Sequence, residues 1–180
     1  MNLIIVGAGV YAVVAYEIAR DMGCYEKIGF IDDNRTVTPN GIEVQGRLCD
    51  IKKISQEYTH AIVAIGNAEF RLATIEMIEK ETSLEMTSLI SPRAYVSESA
   101  HIMNGCIIEP MAVVHAGCVI CNGTFICAGA VVNHASVCRS GVQVDCNATI
   151  AGYTEVPEKV KVSIGAVYKN NEIDPKNLTF

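Results

Sequence analysis

Three groups of residues in this 180-residue chain have types and spacings that could do chemistry. The first is Gly7-Ala8-Gly9-Val10-Tyr11-Ala12, close to G-x-G-x-x-G/A, with Asp32-Asp33 following at about the twenty-residue interval of dinucleotide folds. Glycines in such a turn let backbone N–H groups approach phosphate oxygens at a helix N-terminus, while an acid after the next strand bonds a ribose or base. Gly66-Asn67 ends a later apolar run and belongs to the same edge. The competing reading is a tight turn with exposed acids. The second group is His60, His101, His115 and His134, since an imidazole can take up a proton near neutral pH. The third is eight cysteines, among them Cys118-x-x-Cys121.

The cysteines are expected as thiols. No second CxxC stands at zinc-finger spacing, so no metal is expected. No secretory signal precedes them, so bridges are not expected either. Residues 3–16 are uncharged but lack a basic leader, and Glu17 and Arg20 break the run before a span of about 20 residues. A cytoplasmic chain without membrane insertion is the expectation. The net charge of −6, without basic runs, argues against a nucleic-acid partner. Half the residues are hydrophobic, which excludes a disordered chain.

These groups need elements to hold them. Apolar runs at 3–7, 27–31 and 61–65 are short and rich in Ile and Val, predicting buried strands. Helical spacing at 10–22 and 68–81 lies between and after them, so the order implies right-handed crossovers and a parallel sheet. Residues 84–90 are expected as a last strand leading into the second half.

That second half is a repeat. Every sixth residue from Ile90 to Tyr168 is Ile or Val except Cys138 and Tyr168 themselves. Four residues after each comes a small or β-branched residue, such as Cys106, Ala112, Cys118, Ala130 and Ser136. A third phase carries Gly105, Gly117, Gly123, Gly129, Gly141 and Gly165, where a chain turning a corner favours residues without Cβ. One large and one small inward position every six residues describes a hexapeptide parallel β-helix. Packing then explains Cys106 and Cys118 without chemistry. The predicted fold class is α/β plus β-solenoid: a small Rossmann-like parallel sheet over 1–88, a left-handed parallel β-helix over 89–168, and a tail over 169–180. His134, two past Val132, is outside the inward phases, as are His101 and His115, while His60 precedes a strand as an expected solvated loop residue. A short prism leaves much sheet uncovered, so a homotrimer is expected, with Val113, Val119 and Val131 at or near the contacts.

The stretches GAGVYA, FIDD, AIGN, ISPRAYVSESAHI and VVNHASV, in this order, resemble the bacterial nucleotide-sugar acetyltransferases. That family includes UDP-4-amino-sugar and perosamine N-acetyltransferases and sialic acid O-acetyltransferases. The resemblance implies acetyl-CoA as acyl donor, bound between subunits, and a nucleotide-sugar substrate, UDP-linked, held by Gly9, Val10, Tyr11, Asp32, Asp33, Gly66 and Asn67. It implies His134 as general base and Gly152, one coil on, as the backbone donor to the acetyl group. Gln143 stands where relatives place a His near the thioester, and Ile164 where the CoA arm runs. The chain departs from the pattern at Ala135, where relatives have Asp or Glu, and at Tyr11, where they often have His. Cys138-Arg139 replaces an aliphatic-Gly pair, and the repeat stops near Tyr168. Without an acid at 135, a backbone carbonyl or the Asn133 amide must orient the ring, which favours an amine over a hydroxyl acceptor. Other readings are O-acetylation of a sialic-acid-type sugar and a catalytically decayed nucleotide-binding protein. An NAD oxidoreductase would need a second mononucleotide half, but the α/β unit ends near residue 88. Hexapeptide proteins also include zinc carbonic anhydrases, whose ligand spacing His101, His115 and His134 do not supply.

Overall fold

The computed structural model describes residues 1–170 and 173. The strand Asn2–Val6 (β1) is apolar from Leu3 onward, where both of its faces are covered. Leu3 and Ile5 pack with Ala12, Ala15 and Ile18 of the helix Val10–Met22 (α1). Ile4 and Val6 pack on the other side with Ile75 and Ile78 of a later helix, Ala68–Glu81. Burying each such side chain is worth about 1.5–3 kcal/mol. The strand Lys27–Ile31 (β2) pairs parallel with β1 on one side, and His60–Val63 (β3) on the other. A short helix, Ile51–Ile54 (α2), lies on the path between β2 and β3, and Ala68–Glu81 (α3) follows β3. Helix α1 ends at Gly23 in the left-handed conformation (φ 69°), which an L side chain adopts at a cost.

The predicted strand at 84–90 is two strands. Glu85–Met86 (β4) completes the first sheet, in the order β2-β1-β3-β4, while Leu89–Ile90 (β5) begins the second half. The chain leaves one hydrogen-bonding system and enters the next within two residues. His60 also differs from expectation. It is the first residue of β3, paired with Leu3 and Glu85, and its side chain is 15% exposed. Its Nδ1 lies 2.7 Å from Thr59 Oγ1, and its Nε2 lies 3.6 Å from a Glu85 carboxylate oxygen.

From Leu89 the chain winds as a left-handed parallel β-helix whose three faces are stacks of two-residue strands. The first face carries Leu89–Ile90, Ile107–Ile108, Phe125–Ile126, Gln143–Val144 and Lys161–Val162. The second carries Tyr95–Val96, Val113–Val114, Val131–Val132, Thr149–Ile150 and Val167–Tyr168. The third carries His101–Ile102, Val119–Ile120, Val137–Cys138 and Glu155–Val156. The large and small phases fill the prism together, with Ile108, Val114, Ile120, Cys106, Ala112 and Cys118 all fully buried. From residue 105 onward the corners carry a left-handed residue every six positions, which at 105, 117, 123, 129, 141 and 165 is glycine. Met111, Ala135, Asn147, Tyr153 and Lys159 take the same conformation without being glycine.

The α/β unit sits on the first face. Leu89, Ile107 and Phe125 point outward there and join the core around α1. The contact is fastened by Arg71 of α3, which is fully buried. Its Nε donates to Gly123 O (2.7 Å), its Nη2 to Gly141 O (2.8 Å) and its Nη1 to Ile65 O (2.7 Å) and Gly66 O (3.0 Å). Its guanidinium lies 3.9 Å above the Phe125 ring. Burial lowers its pKa to about 10, so the cation persists at neutral pH. The predicted strand 61–65 ends at Val63, and the residues just beyond it turn their carbonyls to this cation.

Among the described residues, no helix is long and apolar enough to cross a membrane.

Candidate active site

The first group of candidate residues lies at the carboxyl edge of the parallel sheet. Gly7 has φ 110°, and a Cβ there would lie 3.0 Å from Ala64 O, so both conformation and space require glycine. Gly9 precedes α1 with nothing near its missing side chain, and Val10 is 72% exposed at the first position of the helix. This turn leaves an open helix N-terminus. Asp32 does not reach outward as its place in the motif suggests. One carboxylate oxygen accepts the Ala8 N–H at 2.8 Å, and the other accepts the N–H groups of Asn34 and Arg35. It therefore braces the glycine turn. Asp33 Oδ1 accepts the Leu48 N–H at 2.8 Å, closing the loop after β2 over the edge. Asn67 caps α3, its Oδ1 accepting the Phe70 N–H at 2.9 Å, and the Gly66 carbonyl is engaged by Arg71. An open cavity of about 350 Å³ lies along Asp32, Asp33, Arg35, Gly46 and Arg47.

Tyr11 turns away from this edge. Its ring packs on Phe125 at 4.8 Å between centroids, and its buried hydroxyl has no hydrogen-bond partner among the described residues. Burial, with smaller contributions from Cys127 and Glu109, holds the phenol well above its usual range. Only its backbone belongs to the turn, because the face of α1 that carries its side chain docks on the β-helix.

The second group surrounds His134, at the corner between the second and third faces. Asn133 Oδ1 accepts the backbone N–H of His134 (2.9 Å) and lies 2.8 Å from its Nδ1. An oxygen can only accept, so Nδ1 carries the hydrogen, and in the neutral ring the lone pair is then on Nε2. A Cβ on Gly152 would lie 3.0 Å from Nε2 and from Cε1. Gly152 does not have a positive φ; here it is space that calls for glycine. Among the described residues its N–H has no hydrogen-bond partner. Tyr153, which the sequence did not single out, meets the imidazole edge-on at 5.0 Å and holds φ 56°. Its N–H donates to His134 O at 3.1 Å. Its φ is that of the repeat's corner phase, which Met111, Ala135, Asn147 and Lys159 share, so it is the ring's place against the imidazole that ties Tyr153 to this corner. Ala135 is likewise left-handed at 56° and is the corner residue beside His134. Thus an imidazole held at Nδ1 lies beside a bare backbone segment.

Gln143 and Ile164 are not beside His134. Gln143 lies on the first face, one coil beyond Phe125, with its Nε2 4.0 Å from Cys127 Sγ. Ile164, 71% exposed, lies at the corner between the first and second faces. His134 and Gly152 lie at the corner opposite the first face, on which the α/β unit sits. Within one chain the two groups are on opposite sides of the prism.

The buried cysteines are held as thiols. The Cys118 thiol donates to Asn133 O at 2.9 Å, and burial pushes Cys106 up to about 12 and Cys127 and Cys138 well above the usual thiol range. No cluster of three or more His, Cys, Asp or Glu residues suited to a metal occurs among the described residues.

Residues 2–78 match the family described as PglD N-terminal domain, and residues 84–134 match bacterial transferase hexapeptide (six repeats). The acetyltransferase domain of PglB from Neisseria gonorrhoeae, solved in complex with acetyl coenzyme A, is 31% identical, with a TM-score of 0.88. The likeness covers 92% of this chain and 80% of that one. The chain belongs to the nucleotide-sugar acetyltransferase family. A variant of GDP-perosamine N-acetyl transferase from Caulobacter crescentus, in complex with CoA and GDP-perosamine, shares the fold at 21% identity and a TM-score of 0.69. That likeness covers 97% of this chain and 91% of that one. No curated protein sequence matches the chain. As a member of this family the protein is an acetyltransferase. At its His134 corner the side chain on Nδ1 is the neutral Asn133 amide.

Proposed function

We propose that the protein transfers the acetyl group of acetyl-CoA to the amine of a nucleotide-linked amino sugar, UDP-linked, with His134 as general base. The observation that carries this reading is the Asn133 contact that holds His134 at Nδ1 and leaves Nε2 beside Gly152. The amine nitrogen attacks the thioester carbonyl, its proton passes to Nε2, and the Gly152 N–H stabilises the oxyanion. Collapse of that intermediate breaks the carbon–sulfur bond, and CoA leaves with a proton returned from the imidazolium.

The neutral partner favours N- over O-acetylation. An Asn amide orients the ring but does not stabilise the imidazolium as a carboxylate does. A neutral amine attacks with its own lone pair, whereas a hydroxyl needs its proton removed early. Support for a shared site comes from the separation of the two groups within one chain. In a homotrimer, the His134 corner of one copy would meet the nucleotide edge, Gln143 and Ile164 of the next across the second face. Tyr95 and Val167 on that face are 61% and 66% exposed, and Val113 and Val131 lie between them.

His134→Ala should lower turnover of a UDP-amino sugar with acetyl-CoA by about a hundredfold or more while nucleotide binding by calorimetry is unchanged. Full activity in that variant would remove His134 from the base role.

A further inference from the structure

Phe70 is 47% exposed at the third position of α3, on none of the molecule's buried clusters. The buried face of α3 is supplied by Arg71, Thr74, Ile75 and Ile78, so packing gives no reason for an aromatic ring at 70. The ring instead lines a slot at the carboxyl edge of the sheet, together with Gly7, Ile31, Leu48 and Ile65. Asp33 and Asn34 form the polar lip of the same slot. Asp33 Oδ1 is taken by the Leu48 N–H, while its Oδ2 and the Asn34 side-chain amide have no partner among the described residues. An apolar slot with an exposed ring on one wall, and one acceptor beside one donor at its rim, is suited to a flat heterocycle.

We propose that Phe70 is the stacking platform for the nucleobase of the substrate and that Asp33 and Asn34 read a uracil edge. The assignment rests on the nucleotide-sugar reading above and deepens it. Uracil presents one N3–H donor flanked by carbonyl acceptors, which Asp33 Oδ2 and the Asn34 amide can meet together. Guanine presents two adjacent N–H donors that call for both oxygens of a carboxylate, and one oxygen of Asp33 is already committed. Cytosine offers an acceptor where Asp33 needs a donor. The adjoining Gly7–Val10 turn would then lie within reach of the diphosphate.

The chain contains no Trp, so Phe70→Trp places a single indole in the slot of an otherwise intact protein. UDP, GDP and pyrophosphate are titrated into the wild type, F70A and F70W by calorimetry, and into F70W by fluorescence. The expected results are a wild-type preference for UDP over GDP and a loss of about tenfold in UDP affinity in F70A, the scale of one base–aromatic stack. Pyrophosphate binding should be equal in both, and UDP, not pyrophosphate, should quench the F70W indole saturably. Unchanged UDP affinity in F70A, or UDP bound by F70W without quenching, overturns the stacking role and leaves the nucleotide-sugar reading standing. Equal affinity for UDP and GDP overturns the edge assignment. A wild type that binds neither nucleotide overturns both this inference and the reading beneath it. Because Phe70 is exposed, F70A should melt with the wild type and bind acetyl-CoA equally.

Discussion

A Cβ on Gly152 would lie 3.0 Å from the Nε2 of His134, one coil earlier in the prism. No left-handed φ calls for glycine at 152, while the next residue, Tyr153, sits at φ 56° without being glycine. The corner therefore puts its smallest residue where the imidazole needs room and leaves the conformational strain to its neighbour. Gly152→Ala should press the ring off its Asn133 contact and fill the space beside Nε2. Turnover should fall by about tenfold or more, the scale expected when a reacting group moves by a fraction of an ångström. Steady-state kinetics with UDP-amino sugar would check it, and an unchanged kcat would show that nothing reacts between these residues.

With His134 as the proposed base, Asn133 would be a positioning residue, acting through the ring it holds. Asn133→Ala removes the acceptor for Nδ1–H and for the His134 backbone N–H, so both tautomers become accessible. We expect kcat to fall by a few fold to about tenfold with little change in KM. Asn133→Asp restores an acceptor and adds charge, which should shift the acidic limb of the kcat–pH profile upward by stabilising the imidazolium. A merely structural Asn133 would alter stability in both variants and leave that limb in place.

Arg71 fixes the α/β unit to the β-helix through carbonyls, without a carboxylate among its hydrogen bonds. Arg71→Met would keep the apolar volume over Phe125 but strand four carbonyls, three of which belong to glycines. Leaving buried acceptors unmet costs about 1–3 kcal/mol each where water cannot enter. The variant should melt several degrees lower, with the α/β unit losing hydrogen-exchange protection first. Equal protection loss in both halves would show that the two do not depend on this contact for their docking.

The β-helix is legible because its signal is periodic: each inward side chain repeats a packing demand every six residues, and one exception such as Cys138 does not hide the pattern. A place outside the inward phases does not by itself single out His134, since His101 and His115 are outside them too; the resemblance at VVNHASV does. The sheet-edge residues are less legible because their roles depend on where loops close. Asp32 and Asp33 sit where a ribose ligand would, yet their carboxylates hold Ala8 and Leu48 backbone groups that no spacing rule brings near them. Tyr11 lies in the glycine turn by sequence, but the docking of α1 on Phe125 decides which way its ring goes. Tyr153 stands in the glycine phase of the repeat, but its ring's contact with His134 depends on packing that no spacing rule gives. His60 departs from the loop reading because one residue more of strand carries it into a paired, largely buried position.

The last prediction tests whether the two groups of residues meet across chains. Val10→Glu places a carboxylate at the exposed helix N-terminus after Gly9, where it should repel a diphosphate and abolish UDP-sugar binding. His134→Ala removes the base at the opposite corner of the prism. Each homogeneous variant should be inactive. If every active site lay within one chain, a mixture of the two would also be inactive, because each chain lacks one half. If sites form between neighbours in a closed trimer, some junctions in a co-refolded mixture pair an intact nucleotide edge with an intact His134. For random equal mixing, about one junction in four has that composition, so about a quarter of wild-type activity should return. Recovery near that level, with light scattering reporting a trimer, would establish the shared site; no recovery from mixed trimers would confine the chemistry to one chain.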